Sequence, residues 1–301
     1  MLRGDFDPYW REVEMGVRAF AERAREGVDY RVFPDPNPDE AALTRWQIEN
    51  LGELAGRRDL TAVAVAPLDH EKTLAHLKKL TQKGVPCITF DTDSPYSGRL
   101  FYIGTNNYLA GSTAGYQMAK LLEFHGKVMV HTPTMKTFSC TERIRGFTES
   151  LSRYEKIGIV QAESGEEQHE KLVESAGKCL LENPDVRGIF AASGTSVKAC
   201  ARVLAEAKPE KPPEIITFDI DREIAALLKS GVIFLAMVQR PHTIGQRVVD
   251  YLVRIARHGV EKTMKAVPGT GIIDTGTRTV FERTLDAYRQ TQQAFGIPVD
   301  F

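Results

Sequence analysis

Apolar residues along the chain recur at two spacings, one helical and one strand-like. Near the start, five of them follow the i, i+4, i+7 spacing of a helix that covers a sheet with one face: Val13, Val17, Phe20, Ala21 and Ala24. The run "LTAVAVA" at 60–66 is apolar except for Thr61, which is typical of a strand buried on both faces of a parallel sheet. Together the two spacings predict an α/β fold.

Strands and helices are predicted to alternate through the first part of the chain. A strand "YRVF" at 30–33 precedes the proline-rich loop "PDPNPDE", after which a helix is expected to start at Asp39. A further helix at 71–83 ends in Lys83-Gly84 and leads into the strand "VPCITF". Because each helix connects two strands, we expect a parallel sheet with right-handed crossovers.

The same alternation resumes after "YIGTNN" at 102–107. Helices are expected at about 110–124, from Thr141, at 167–181 and at 196–207, together with the strands "KVMVH", "IGIVQ", "VRGIFAA" and "EIITFD". At 301 residues the chain exceeds the size at which a single core usually stops growing. We therefore predict two α/β domains of similar size.

A short sequence occurs twice, once in each predicted domain. "ITFDTD" at 88–93 returns as "ITFDID" at 216–221, and Asp91 and Asp219 each follow an apolar strand. In open parallel sheets ligands bind at the carboxyl ends of the strands, so both aspartates are candidates for one binding cleft. The alternative is that each aspartate only ends a strand and starts a turn. The repetition at corresponding places favours a binding site.

Composition excludes few partners. Lysine and arginine number 39 against 40 acidic residues, a balance that does not favour nucleic acid or an anionic membrane. No apolar run reaches the roughly 18 to 20 residues that span a bilayer, and the start lacks a signal-peptide pattern. A mature secreted protein and a cytoplasmic protein would both look like this. The four cysteines have no CxxC spacing, so we expect free thiols, with a Cys179–Cys200 bridge as the alternative.

The residue types at the predicted cleft suit a sugar. Carboxylates can accept hydrogen bonds from adjacent hydroxyls, and aromatic rings can cover the C–H face of a sugar ring. Tyr9 and Trp10 in "DFDPYW" are candidates for such rings, although they could instead pack the first helix against the sheet. The chain lacks GxGxxG after its first strand, GxxxxGK[ST], GxSxG and HExxH. An enzyme is therefore the less favoured class, and we expect neither a cofactor nor a metal.

Eight segments, in their order and spacing, resemble the ribose-binding-protein-like (type I) periplasmic binding proteins of sugar ABC transporters. They are "DPYW", "GVPCITFDTD", "YIGTNNYLAGSTAGYQMAKLL", "TERIRGF", "NPDVRGIFAASG", "ITFDID", "GVIFLAMVQRPHTIGQRVVDYL" and "IIDTGTRTV". The likeness extends over nearly the whole chain. It implies two Rossmann-like lobes with parallel sheets, joined by a three-strand hinge that closes on a sugar. The expected lobes are 1–107 with 240–271, and 108–239 with 272–301.

The resemblance also implies a set of ligand contacts. On the first lobe these are Asp7, Tyr9, Trp10 and Asp91, and on the second Arg143, Glu167, Ser193 and Asp219, with Gln239 at the hinge. Read from the sequence alone, Arg143 could also be a cation on a helix surface. The ligand implied is a monosaccharide or related polyol, and the partner is an ABC transporter permease. We expect a monomer that works outside the cytoplasm.

Two other functions remain open at this point. The same fold resembles sugar-sensing modules that act on a membrane kinase or chemoreceptor. It also resembles the effector domain of lactose-repressor-type regulators, which would need an N-terminal helix-turn-helix. Family members have a complete strand before "DPYW", whereas only "MLRG" and the "DF" pair precede that segment, so we expect a shortened start.

Overall fold

The computed structural model describes residues 8–25, 27–34, 40–165, 168–299 and 301. These residues form two compact α/β units. The first unit contains the described part of Met1–Asn106 with Lys136–Ser139 and Arg240–Gly276, and the second contains the described part of Asn107–Met135, Cys140–Gln239 and Thr277–Phe301. None of the described helices combines the length and apolar character needed to cross a membrane.

Apart from the strand expected at 30–33, the elements include the predicted helices and strands in the predicted order. They are α1 (Pro8–Ala24), α2 (Glu40–Leu54), β1 (Val63–Val65), α3 (His70–Gln82), β2 (Cys87–Phe90), β3 (Tyr102–Gly104), α4 (Asn107–Leu121), β4 (Gly126–Thr132), α5 (Phe138–Leu151), β5 (Ile157–Glu163), α6 (His169–Glu182), β6 (Val186–Ala191), α7 (Gly194–Ala207), β7 (Glu214–Phe218), α8 (Arg222–Lys229), β8 (Leu235–Val238), α9 (Pro241–Met264), β9 (Ile272–Asp274), β10 (Arg278–Val280) and α10 (Leu285–Ala294). Short 3₁₀ turns occupy Pro95–Ser97 and Glu282–Thr284.

The first unit is built on a parallel sheet with the strand order β1-β2-β3-β9. β9 joins this sheet beside β3, with Ile272 opposite Tyr102. This differs from the expected lobes, which place 272–276 in the other lobe, because a strand of 3 residues carries too little apolar pattern to predict its partner. Since the strands run in one direction, their carboxyl ends lie at one edge of the sheet.

The segment "YRVF" at 30–33 does not form the strand that the sequence predicts. It contains only an isolated bridge at Val32. A cavity of about 300 Å³ is lined by both 27–31 and 60–64, so the segment and the stretch around β1 are not in full contact. Arg31 holds the segment in place by donating hydrogen bonds of 2.8 and 2.9 Å to Glu53 and Asn50.

Helices α1 and α9 pack against each other through glycines. A Cβ added at Gly16 would lie 2.1 Å from the carbonyl oxygen of His242, and one at Gly245 would lie 2.0 Å from that of Val13. No residue with a side chain fits at either position without moving a helix. The core of this unit combines residues from these helices and the strands: Trp10, Val13, Ile88, Phe90, Phe101, Ile103, Ile244 and Val248.

The second unit has the strand order β10-β8-β7-β6-β4-β5. Its strands pair in parallel except β10, which runs antiparallel to β8 and departs from the expected parallel sheet. Separate apolar clusters join the sheet to α6, α7 and α8 and to α4 and α5. In the second cluster the rings of Phe147 and Phe190 stack 3.9 Å apart. Helices therefore cover both faces, which explains why its strands read as continuously apolar.

Helices α4 and α5 cross as closely as α1 and α9 do. A Cβ at Gly111 would lie 1.9 Å from the carbonyl oxygen of Arg143, and one at Gly146 would lie 2.0 Å from that of Tyr108. The crossing fixes the backbone of Arg143 against the first turns of α4. It thereby determines where one of the candidate binding residues stands.

Candidate functional site

Asp91 and Asp219 occupy equivalent positions in the two units. Each directly follows the last residue of a strand, β2 or β7, at the carboxyl edge of its sheet. Both have a left-handed backbone, with φ of 61° and 63°. Each backbone N–H also donates to the adjacent strand, at 3.0 Å to Ile103 and 2.9 Å to Met237. The repeat in the sequence is thus a repeat in local geometry.

The second aspartate of each repeat has a structural role. Asp93 accepts two hydrogen bonds of 2.5 Å from the Arg99 guanidinium and is buried. Asp221 caps α8 by accepting from the backbone N–H of Ile224 at 2.9 Å, and it pairs with Lys198 at 2.6 Å. The carboxylates of Asp93 and Asp221 are therefore engaged by neighbouring groups of the protein. Asp91 and Asp219 remain the candidates for binding.

Tyr9 and Asp91 meet at the carboxyl edge of the first sheet. Helix α1 starts at Pro8, so Tyr9 belongs to its first turn. The Tyr9 hydroxyl donates to Asp91 Oδ1 at 2.5 Å. A second hydroxyl, that of Tyr102, donates to the backbone oxygen of Asp91 at 2.7 Å. The carboxylate and its strained backbone are therefore both held in place.

Trp10 lies in the hydrophobic core of the first unit. Its side chain is 5% exposed and packs edge-to-face on Phe90, with ring centroids 6.3 Å apart. The Trp10 ring also packs edge-to-face on the Tyr9 ring, with ring centroids 5.5 Å apart. Of the two roles that the sequence left open, the structure gives Trp10 the packing role between α1 and the sheet. The sugar contact implied by the resemblance stays a prediction for this residue.

Arg143 is buried at the carboxyl edge of the second sheet, not exposed on a helix surface. Only 4% of the Arg143 surface is exposed. The guanidinium donates from Nε and Nη2 to Asn107 Oδ1, at 3.2 and 3.0 Å, and from Nη1 to the backbone oxygen of Ala192 at 2.6 Å. Its plane also lies over the ring of Phe218, 3.7 Å from the centroid. Three elements thus hold one cation.

The acceptors around Arg143 are neutral. Among the described residues, no carboxylate forms an ion pair with it. His131 lies near the end of β4, and burial lowers its pKa to about 4. That side chain is therefore uncharged near neutral pH and does not change the charge of this edge. A buried cation with only neutral acceptors favours a ligand that offers further oxygen atoms.

Asp219 and Gln239 form the other pair at the edge of the second sheet. Gln239 follows β8, is 7% exposed, and donates from Nε2 to Asp219 Oδ1 at 3.0 Å. Ser193 caps α7, since its hydroxyl accepts from the backbone N–H of Ser196 at 3.2 Å. Ser193 therefore lies at this edge and stabilises the start of α7. Its sugar contact stays a prediction.

Two of the predicted contacts, Asp7 and Glu167, lie outside the described residues. Conversely, the structure adds three residues that sequence reasoning did not select: Tyr102, Asn107 and Phe218. Phe218 stands inside the repeated "ITFD" and so had a positional signal, and Asn107 is the last residue of "YIGTNN", after which the alternation of helices and strands resumes. Tyr102 had none, because its partner is a backbone oxygen brought near by strand pairing.

Together these side chains supply carboxylate acceptors, an amide, a hydroxyl and a cation. Such groups recognise the donor and acceptor faces of hydroxyl groups. Each edge has one aspartate in the same unusual backbone conformation. The chemistry is that of non-covalent recognition of a polar molecule.

Comparison with known proteins agrees with this chemistry. A family model described as "Periplasmic binding protein domain" matches residues 3–261. The chain is 20% identical over 277 residues to the D-allose-binding periplasmic protein of Escherichia coli (strain K12), covering 89% of this chain and 87% of that protein.

Its fold is similar to two solved sugar-binding proteins. A glucose-galactose binding protein from Geobacillus stearothermophilus has a TM-score of 0.79 at 25% identity, covering 91% of this chain and 93% of that one. An ABC transporter solute binding protein from Burkholderia graminis C4D1M, in complex with D-arabinose, has a TM-score of 0.79 at 29% identity, covering 93% of each chain.

Proposed function

This chain belongs to the periplasmic binding protein family, and from that premise we propose that it captures a sugar or related polyol and delivers it to an ABC transporter permease. The family resemblance that the eight sequence segments predicted is confirmed, and so is the α/β fold with parallel sheets. The family supports a location outside the cytoplasm and a role in binding, with no chemical conversion of the ligand.

The observation that carries the proposal is the pair of equivalent aspartates. Asp91 and Asp219 share a left-handed backbone that costs energy for any residue with a side chain. Such strain persists where the surrounding structure fixes it, and it is concentrated at binding and active sites. A turn alone would be formed more easily with glycine at these positions. We infer that both carboxylates bind hydroxyl groups of the ligand.

The other site residues extend this proposal. We propose that Tyr9, Arg143 and Gln239 bind the same ligand. Tyr9 donates to Asp91 and Gln239 donates to Asp219, while Arg143 donates to the backbone oxygen of Ala192 at the edge of the second sheet. The family resemblance of the sequence implies four further ligand contacts, Trp10, Ser193, Asp7 and Glu167, and we include them in the proposal. Proteins similar to this chain bind D-allose, D-arabinose, and glucose and galactose, which supports a monosaccharide for this chain.

A thermal-shift panel tests the proposal. The purified protein is heated with D-ribose, D-allose, D-arabinose, D-glucose, D-galactose or myo-inositol over a range of concentrations. A ligand at 100 times its dissociation constant should add about 2.7 kcal/mol to the free energy of unfolding, and the effect should saturate. Recovery of the unchanged sugar after long incubation is also expected.

Two results would contradict the proposal. A panel in which every compound gives only a small shift that rises linearly with concentration would exclude specific binding of these sugars. Conversion of a bound sugar into a product by the pure protein would exclude a simple receptor.

A further inference from the structure

Asn107 makes an unusual contact with the buried cation of the second unit. It is the first residue of α4 and is 7% exposed. Its Oδ1 accepts from both Nε and Nη2 of Arg143, at 3.2 and 3.0 Å. An arginine in this position would normally be expected to pair with a carboxylate, which offers two oxygens of matching geometry. Here a neutral amide has that place.

The amide leaves part of the guanidinium available. A guanidinium has five N–H donors, and the described contacts use one on Nε, one on Nη2 and one on Nη1. One donor on each terminal nitrogen is therefore left for another acceptor. Because Asn107 is uncharged, it orients the Arg143 guanidinium without neutralising its positive charge.

The position of Asn107 is itself fixed by packing. Gly111, one turn further along α4, lets this helix approach the backbone oxygen of Arg143 so closely that a Cβ would lie 1.9 Å away. Phe218 supports the guanidinium from another element. The cation is thus confined by a helix crossing, an aromatic ring and one amide oxygen.

We propose that Asn107 is a positioning residue, which directs the Arg143 guanidinium toward the ligand while leaving its charge and two of its N–H groups free for ligand oxygens. The inference rests on the proposed function, since it assigns Asn107 a task in sugar binding. It predicts that a carboxylate at 107 is worse for binding than an amide, although it is better for pairing with arginine.

The key variant is therefore Asn107→Asp. The new carboxylate pairs with Arg143, competes for its remaining N–H groups, and should leave the melting temperature of the free protein equal or higher. Affinity for D-allose, D-ribose or D-arabinose, measured by titration calorimetry, should fall by about tenfold or more. A variant that is equally stable and binds these sugars like the wild type would overturn the proposal.

Asn183 offers a matched control in the same unit. Its Oδ1 also accepts from a cation, Lys127, at 3.3 Å, but it precedes β6 and so lies at the opposite edge of the sheet. Asn183→Asp should leave sugar affinity unchanged. If it weakened binding as much as Asn107→Asp, the effect would be one of overall charge and the assignment would be wrong.

A measurement without sugar separates this inference from the proposed function. In ¹⁵N-arginine-labelled protein, the Nε–H signal of Arg143, assigned with Arg143→Lys, should be protected from solvent exchange and should lose that protection in Asn107→Ala. Unchanged protection in Asn107→Ala would show that Asn107 does not hold the guanidinium. If the protection is lost while the wild type binds no sugar, the contact stands, but both the proposed function and the binding role of Asn107 fail.

Discussion

The left-handed backbone of Asp91 and Asp219 is the most informative feature at the residue scale. Residues with a Cβ enter this region at a cost of roughly 1 to 2 kcal/mol, and aspartate and asparagine tolerate it best. Hydrogen bonds from the backbone N–H of each residue to the neighbouring strand hold the conformation. For Asp91, the hydroxyl of Tyr102 adds a bond to its carbonyl oxygen. Local strain and long-range support therefore occur together.

The first prediction separates charge from backbone conformation. Asp91→Asn and Asp219→Asn keep the preference for a left-handed backbone but remove the carboxylate, so stability should stay near that of the wild type. Affinity for the best sugar of the panel should weaken by roughly 1.5 to 3 kcal/mol, as for a hydrogen bond to a charged group. The alanine variants should bind at least as poorly and also lose about 1 kcal/mol of stability. Calorimetric titration and urea unfolding measure the two effects.

Asp221→Asn is the control for these variants. It removes the ion pair with Lys198 and weakens the cap of α8, so it can lower stability without touching a candidate ligand group. Its sugar affinity should equal that of the wild type. Wild-type affinity in both Asp91→Asn and Asp219→Asn would mean that the repeated aspartates only shape turns.

At the scale of elements, each unit relies on a pair of helices that cross through glycines. In the first unit these helices are α1 and α9, and in the second they are α4 and α5. Each pair places a candidate binding residue, since α1 carries Tyr9 and α5 carries Arg143. Small residues at the crossings let the backbones come close enough for those side chains to reach the edge of the sheet.

The second prediction tests the crossing of α4 and α5. Gly111→Ala would put a methyl group 1.9 Å from the backbone oxygen of Arg143, so the helices must separate. Stability should fall by about 1 to 3 kcal/mol, and sugar affinity should fall as well because Arg143 moves. Urea unfolding and calorimetric titration measure the two losses.

Gly177→Ala on α6 is the matched control. Its Cβ would have no neighbour closer than 3.9 Å, so the better helix propensity of alanine should add about 0.5 to 1 kcal/mol of stability with no change in affinity. A Gly111→Ala protein as stable as the wild type would show that the crossing is not tightly constrained.

At the scale of the whole molecule, the chain passes between the two units several times. Besides the short segment Lys136–Ser139, passages occur after Asn106, after Gln239 and after Gly276. The family resemblance implies that binding closes two lobes around the sugar. Only contacts that differ between open and closed states can drive such a change.

The third prediction concerns this closure. Sugar binding should reduce the radius of gyration in solution scattering. It should also change tryptophan fluorescence, because Trp10 contacts Tyr9, which is bonded to Asp91. The signal should persist in Trp46→Phe, since Trp46 lies in α2 and packs on Phe33. It should largely vanish in Trp10→Phe. Tight binding with neither compaction nor a Trp10 signal would exclude closure for this chain.

Local apolar spacing was sufficient to predict the alternation of helices and strands and the equivalent positions of Asp91 and Asp219. It succeeded because each buried strand or helix face repeats its pattern over neighbouring residues. It failed at "YRVF" and at the direction of β10, because strand pairing depends on which distant segments meet. The motifs together identified the family.

The partners of the candidate side chains were decided by tertiary structure alone. Tyr9 bonds Asp91 from 82 residues away, and Arg143 reaches Asn107 and Ala192 across 36 and 49 residues. No periodicity within a helix or strand encodes such contacts. The sequence by itself determined the fold class, the repeat and the kind of ligand to expect. Packing determined that Trp10 fills the core and that Arg143 is buried against a neutral amide, because burial depends on all the elements that surround a side chain.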